Sequence, residues 1–299
     1  MKKQPFVSVV MPVYNAGDFL VEAIESILCQ TYKNIEFIMI DDASTDNSWE
    51  IMKTYQERYP DIIRISQNRT NLKQAATVEQ AMRLARGAFI ARMDADDIAL
   101  PSRLEKQLMY LLTHKDVIAV GGQCALINTE GYIIGEKRFP LTFTDVYRYI
   151  FEFIPLQQPT LMIAQERIPH FVEFYNPDLS PVEDVEMLFR LFRFGKVENL
   201  ADTVLLYRIH DHNSSRMNLK KSFFLTLVSR IRGVMLYGYK PTLRGTAMTL
   251  CQAAVALLLP QQFAFFLYAV ARKTNIIARP TPQAGFAEEI FAKAQVEVS

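Results

Sequence analysis

Phe89-Ile-Ala-Arg-Met-Asp-Ala-Asp-Asp97 decides the reading of this chain. An apolar run that ends in a block of carboxylates reads as a buried strand delivering acidic side chains to a sheet edge. Apolar, β-branched runs also open near Val7, Ile35, Ile62 and Val117, and a spacing of about 25–30 residues matches strand, helix, strand units. Helical periodicity fills the gaps. Phe19, Ala23, Ile24, Ile27 and Leu28 follow Asp18, an expected N-cap; Trp49, Met52 and Tyr55 lie between the turn Ser44-Thr45-Asp46 and Pro60; a third stretch, Ala75 to Ala85, closes at Gly87. The pattern predicts an α/β sheet covered by helices on both faces, with ligands at the carboxyl ends of the strands. Beyond Gly121-Gly122 it predicts a hairpin around Asn128 to Ile134. A helix is expected from Val182 to Phe194, with the stripe Val185, Leu188, Phe189 and Phe192 and Gly195 as C-cap, and then strands at Val197 and at Val204 to Tyr207.

Four polar clusters follow these strands: Tyr14-Asn15, Asp41-Asp42, Asp94-Ala95-Asp96-Asp97 and Tyr207-Arg208-Ile209-His210. One residue separates Asp94 from Asp96, so in extended chain both carboxylates lie on one side and could hold a divalent cation. Hard oxygen ligands suit Mn2+ or Mg2+. A calcium loop starting at Asp94 is excluded, because Ile98 and Ala99 stand where a ligand and a glycine are required. Glu183-Asp184 opens the later helix, where the helix dipole favours ionised carboxylates, and Asp184 borders the apolar stripe.

Val7-Ser-Val-Val-Met-Pro-Val-Tyr-Asn15, Ile38-Met-Ile-Asp-Asp-Ala-Ser-Thr-Asp46, Ile90-Ala-Arg-Met-Asp-Ala-Asp-Asp97 and Glu183-Asp184 together resemble family 2 glycosyltransferases of the GT-A fold. The resemblance spans residues 6–216. It implies a Rossmann-like nucleotide-sugar-binding sheet and inverting transfer of a sugar from a nucleotide sugar, taken to be a UDP-sugar, with Mn2+ or Mg2+. The acceptor it implies is a hydroxyl of a glycan or lipid-linked molecule in bacterial-type surface polysaccharide synthesis. By the match, Tyr14 stacks on the base, Asp42 binds its ring nitrogen with Asp41 beside it, Asp94 reaches the ribose, Asp96 holds the metal and Asp184 is the catalytic base. Tyr207 to Ser215 resembles the family's closing strand and loop, which makes Arg208 a candidate for the diphosphate and His210 a further metal ligand. The chain departs from the family pattern at Lys73 and Glu79, where Gly and Asn are common, and at Ala164-Gln165, where an Arg pair is frequent.

The 299 residues are 50% hydrophobic and 22% charged, with a net charge of +1, which excludes disorder and offers no overall field for nucleic acid. The charges are unevenly placed. Residues 1–211 carry 22 basic and 29 acidic side chains, whereas 212–287 carry 10 basic and no acidic ones. Gly245 to Ala271 has no charge over 27 positions but is interrupted by Pro260-Gln-Gln262. The expected organisation is a catalytic domain, 1–216, and a basic, helical, membrane-proximal extension, 217–299. Such an extension suits an anionic membrane surface on the cytoplasmic leaflet, with a homodimer contact as another use of its apolar face. Three cysteines without metal-ligand spacing fit a reducing, cytoplasmic setting, which places the protein peripherally on the inner membrane. A protein of another class, a non-catalytic sugar-nucleotide binder or membrane scaffold, would lack a need for both Asp96 and Asp184.

Overall fold

The computed structural model describes residues 4–169, 172–210 and 219–258. Strands β1 (Val7–Val13), β2 (Ile35–Asp41), β3 (Ile63–Gln67) and β4 (Phe89–Arg92) alternate with helices α1 (Leu20–Leu28), α2 (Ser48–Arg58) and α3 (Lys73–Leu84). The four strands lie in the parallel order β3-β2-β1-β4. Strand order therefore reverses at β1, and the crevice between β1 and β4 is where such sheets bind ligands.

Alternating side chains show why the sheet is covered twice. Val7, Val9, Met11 and Val13 of β1 pack with Leu20, Ala23, Ile24 and Ile27 of α1. Val10 of β1, with Ile38 and Ile40 of β2, packs on the other face with Ala75, Val78 and Ala81 of α3. Period-two alternation with both faces apolar is the signature of a parallel sheet between helical layers.

The sheet continues through β5 (Ile98–Ala99), α4 (Arg103–Thr113), β6 (Val117–Ile127), β7 (Ile133–Lys137), α5 (Phe143–Tyr149), β8 (Met162–Ile163), α6 (Glu183–Leu191) and β9 (Lys196–Arg208). Strand β8 bridges β4 and β6 in antiparallel fashion, and β9 runs parallel to β6 while pairing with β5. The hairpin around Asn128 forms between β6 and β7.

Three local expectations are corrected. Helix α1 starts at Leu20 with Phe19 as its cap residue and no side-chain cap, so Asp18 does not cap it. Helix α6 ends at Leu191 with Phe192 as C-cap. Gly195 instead lets the chain pass close to β6, since a Cβ there would meet Ile118 Cγ2 at 2.6 Å and the Asp116 carbonyl at 2.9 Å. The two strands expected around Val197 and Val204 are one, β9, with register shifts in its pairing with β6.

Helices α7 (Leu219–Tyr237) and α8 (Leu243–Leu258) follow. Helix α7 docks on α6 through Glu186, which is fully buried and accepts hydrogen bonds from Arg190, Arg232 and the Tyr237 hydroxyl. Tyr239 stacks on Phe151 at 4.8 Å and meets Phe189 edge-on at 5.0 Å. Among the described residues no helix is long and apolar enough to cross a membrane. Residues 259–271 of the uncharged stretch lie outside the described residues.

Candidate active site at the carboxyl edge of the sheet

The loops after β1 and β2 brace each other. Asn15 and Ala43 both take positive φ, 47° and 60°, the left-handed region that side chains other than Gly enter only when held there. Asn15 is held by donating its N–H to Ser44 Oγ at 3.0 Å while its Oδ1 accepts from Thr45 N at 2.8 Å. Asp46 Oδ2 accepts from Gly17 N at 2.9 Å. This frame leaves Tyr14 half exposed at the crevice.

Asp41 and Asp42 are both buried but differently occupied. Asp42 accepts from Asn68 Nδ2, Leu72 N and Lys73 N at 2.8–2.9 Å, so its carboxylate organises the loop before α3. Asp41 Oδ2 accepts from Ser44 N and Gln67 Nε2, and its Oδ1 is buried without a partner among the described residues. Lys73 stands at φ 72°, in the left-handed region that favours glycine. Glu79 Oε2 accepts from Phe174 N and Tyr175 N, seating the segment that carries Tyr175.

Past β4, ligand atoms of Asp94, Asp96 and Asp97 all lie within 4.8 Å of one another. Asp94 accepts from Gln74 Nε2 at 3.2 Å and pairs with the buried Arg92. Asp96 Oδ2 lies 2.9 Å from His210 Nε2, and the His210 ring packs on Phe19. The two expected metal ligands are thus in contact. Asp97 is 1% exposed; burial and its carboxylate neighbours hold its carboxyl well above the usual range. Burial likewise raises Asp94. Three crowded carboxylates beside an imidazole are a donor set that suits Mn2+ or Mg2+, whose charge would offset their mutual repulsion.

Arg208 is enclosed by protein groups. Its guanidinium is 1% exposed, pairs with Glu22, donates to the carbonyls of Asp96, Asn128 and Thr129 at 3.0–3.2 Å, and sits 4.7 Å from the Phe19 ring. Its backbone N–H donates to Asp97 Oδ1 at 2.9 Å. With these partners Arg208 braces the acidic loop from beneath.

Asp184 lies in the first turn of α6, partly exposed, with Oδ1 buried and unpartnered among the described residues. Burial pushes its carboxyl up to about 6. Glu183 is pushed up to about 7 by burial and by Asp184. The positive charge of Arg92 pulls both carboxyls the other way, to a smaller extent. Sequence reasoning assigned no role to Arg92, Asp97 or Glu183. For Asp97 the signal was the third carboxylate of the block; a lone Arg in a strand gives none.

A mixed sheet with a switch-point crevice between parallel β1 and β4, an aspartate block after β4 and a carboxylate pair at a later helix start make up the GT-A fold of glycosyltransferases. The chain belongs to glycosyl transferase family 2, whose model matches residues 8–168. It is 33% identical over 222 residues to the uncharacterized glycosyltransferase MJ1057 of Methanocaldococcus jannaschii, covering 73% of this chain and 76% of that protein. Other curated relatives are matched over as little as 31% of their own length. Staphylococcus aureus TarS, solved in complex with UDP-GlcNAc, superposes with a TM-score of 0.63 at 16% identity, covering 84% of this chain and 73% of that one. The mannosyltransferase PcManGT from Pyrobaculum calidifontis, solved with GDP-Man and Mn2+, gives 0.56 at 17% identity over 99% of this chain and 87% of that one.

Proposed function

We propose that this chain transfers a sugar, with inversion and with Mn2+ or Mg2+, from a nucleotide sugar to a hydroxyl of a glycan or lipid-linked acceptor in surface polysaccharide synthesis. The observation that carries this reading is the convergence of the Asp94, Asp96 and Asp97 cluster with His210 at the end of β4, together with the unpartnered Asp184 carboxylate in the first turn of α6. Tyr14 offers its ring to the base of the nucleotide, taken as uracil, and the unpartnered Asp41 oxygen with Asp42 beside it forms the polar edge of that pocket. Asp94 serves the ribose, while Asp96 and His210 would hold the metal, which supplies charge stabilisation to the departing diphosphate. Asp184 accepts the proton of the attacking hydroxyl. Burial makes its carboxylate more basic, toward the neutral range where a general base works best. A single displacement with this base opposite the leaving group inverts the anomeric centre.

The Asp96→Ala variant should bind UDP about tenfold more weakly in Mn2+ and lose its response to EDTA, since a carboxylate ligand is gone. Calorimetry on both proteins checks this. Equal UDP affinity with and without EDTA in wild type would overturn metal-dependent binding.

The extension supports a further part of the reading, peripheral attachment to an anionic cytoplasmic leaflet. Phe224, Ile231 and Met235 are exposed on α7 at helical spacing, and Leu243 and Leu250 are exposed on α8, in a region rich in Lys and Arg. Apolar insertion flanked by cations binds anionic headgroups. The full chain should float with vesicles containing phosphatidylglycerol, bind neutral vesicles less, and detach in 1 M salt, where the Debye length shrinks to about 3 Å. Flotation of neither vesicle type would favour a contact between two copies of the chain, which sedimentation would detect.

A further inference from the structure

Asp94 uses its two oxygens unequally. Gln74 Nε2 and the Arg92 guanidinium both donate to Oδ1, while Oδ2 accepts from no group among the described residues and the side chain stays 19% exposed. Gln74 shows the same asymmetry. Its amide nitrogen is committed to Asp94 at 3.2 Å, and its Oε1 accepts from no group among the described residues. An ionised carboxylate only accepts, so the amide must present its nitrogen to Asp94 and keep its oxygen open. Two acceptors thus stand side by side, joined through the Nε2 to Oδ1 hydrogen bond.

The place of Gln74 is fixed by the turn before it. Gln74 is the second residue of α3, and Asp42 ties down the approach by accepting from Asn68 Nδ2, Leu72 N and Lys73 N at 2.8–2.9 Å. Asn71 Oδ1 also accepts from Lys73 N at 3.1 Å. These bonds hold Lys73 at positive φ, a conformation that a residue with a side chain keeps only under such restraint. Asp42 follows β2 and Asp94 follows β4, with β1 between those strands. The segment from Asn68 to Gln74 therefore links one rim carboxylate to the other past the end of β1, where Tyr14 stands half exposed. Gln74 is by this placement part of the wall of the switch-point crevice.

We propose that Gln74 is a specificity-determining residue for the donor: its Oε1 and Asp94 Oδ2 form a two-acceptor clamp that takes the vicinal hydroxyls of the nucleotide's ribose. This deepens the reading of Asp94 as the ribose group and rests on it. A single acceptor would hold a deoxynucleotide about as well as a ribonucleotide. Two acceptors recognise the diol, because each missing hydroxyl leaves a desolvated oxygen without its donor.

The test is calorimetry of the full chain with Mn2+ against UDP and GDP, each with its 2′-deoxy and 3′-deoxy forms, for wild type, Gln74→Met and Asp94→Asn. Methionine matches glutamine in length and helix propensity but has no amide, so α3 and the melting temperature should not change. Wild type should bind the ribonucleotide about tenfold more tightly than its deoxy forms. In Gln74→Met that affinity should fall about fivefold, while one deoxy form is bound as by wild type and the preference over it collapses. A merely structural glutamine would not single out one hydroxyl. An equal loss for all three forms, or a loss for none, would overturn the clamp. Asp94→Asn separates the clamp from the reading beneath it. If Asp94→Asn abolishes the preference for the diol and Gln74→Met leaves it intact, Asp94 remains the ribose group and the clamp alone fails. If Asp94→Asn binds every form as wild type does, the ribose reading of Asp94 fails and the clamp goes with it.

Discussion

In Asp184→Asn, sugar transfer is expected to fall by about 10²–10⁴-fold while UDP affinity stays within about twofold, the usual result of removing a general base without disturbing donor contacts. The substitution is isosteric, so α6 keeps its first turn. It also removes a charge that burial renders unfavourable, as the raised carboxyl shows. Melting temperature at pH 8 should therefore hold or rise. This combination separates chemistry from folding: a structural residue would lose both, and a helix-end residue of no consequence would lose neither. Single-turnover assays with a nucleotide-sugar panel, calorimetry with UDP and a thermal melt provide the three measurements. Transfer at the wild-type rate would move the base to another group, with Glu183 the neighbour to examine.

Arg208→Ala should cost about 3 kcal/mol of stability and several degrees of melting temperature. The lower end of the range for broken buried pairs is appropriate because Glu22 is itself half exposed. Loss of the guanidinium frees Glu22 and removes a donor from the carbonyls of Asp96, Asn128 and Thr129. UDP affinity should fall as well, through slackening of the Asp96 loop. A residue that gripped the diphosphate directly would behave in the opposite order, with an unchanged melt for the free protein and a large loss of UDP affinity. The unliganded melt thus tells strut from ligand.

Much of this architecture could be read from sequence because it is local. Apolar runs of β1, β2 and β4 alternate at period two, and their helices repeat at period 3.6, so strand identity and the rim of carboxylates both followed. Asp94, Asp96 and His210 converge, although 114 residues separate the last two, because β9 pairs with β5 directly after the acidic block. What escaped was long-range. The position of Arg208 at a strand end says nothing of Glu22 approaching from α1. A lone Arg within an apolar strand likewise gives no sign of its burial or of its ion pair with Asp94. Gly195 looked like a helix cap, whereas the closeness of β6 requires it. Asp18 failed as a cap for a simpler reason: the cap position falls one residue further along, on Phe19, whose ring is engaged with Arg208 and His210.

The burial of Glu186 bears on how such enzymes diversify. This carboxylate sits two positions after Asp184, and two of its three partners, Arg232 and Tyr237, belong to α7. Exchange of the C-terminal region between relatives by recombination would strand a buried anion next to the proton acceptor unless the incoming segment restored matching donors. Helix α6 and the extension are therefore expected to be inherited together, as one exchangeable unit, even though the shared family pattern ends earlier at residue 168. A lineage could then change its C-terminal helices only along with a compatible α6, so the two segments evolve under one electrostatic constraint.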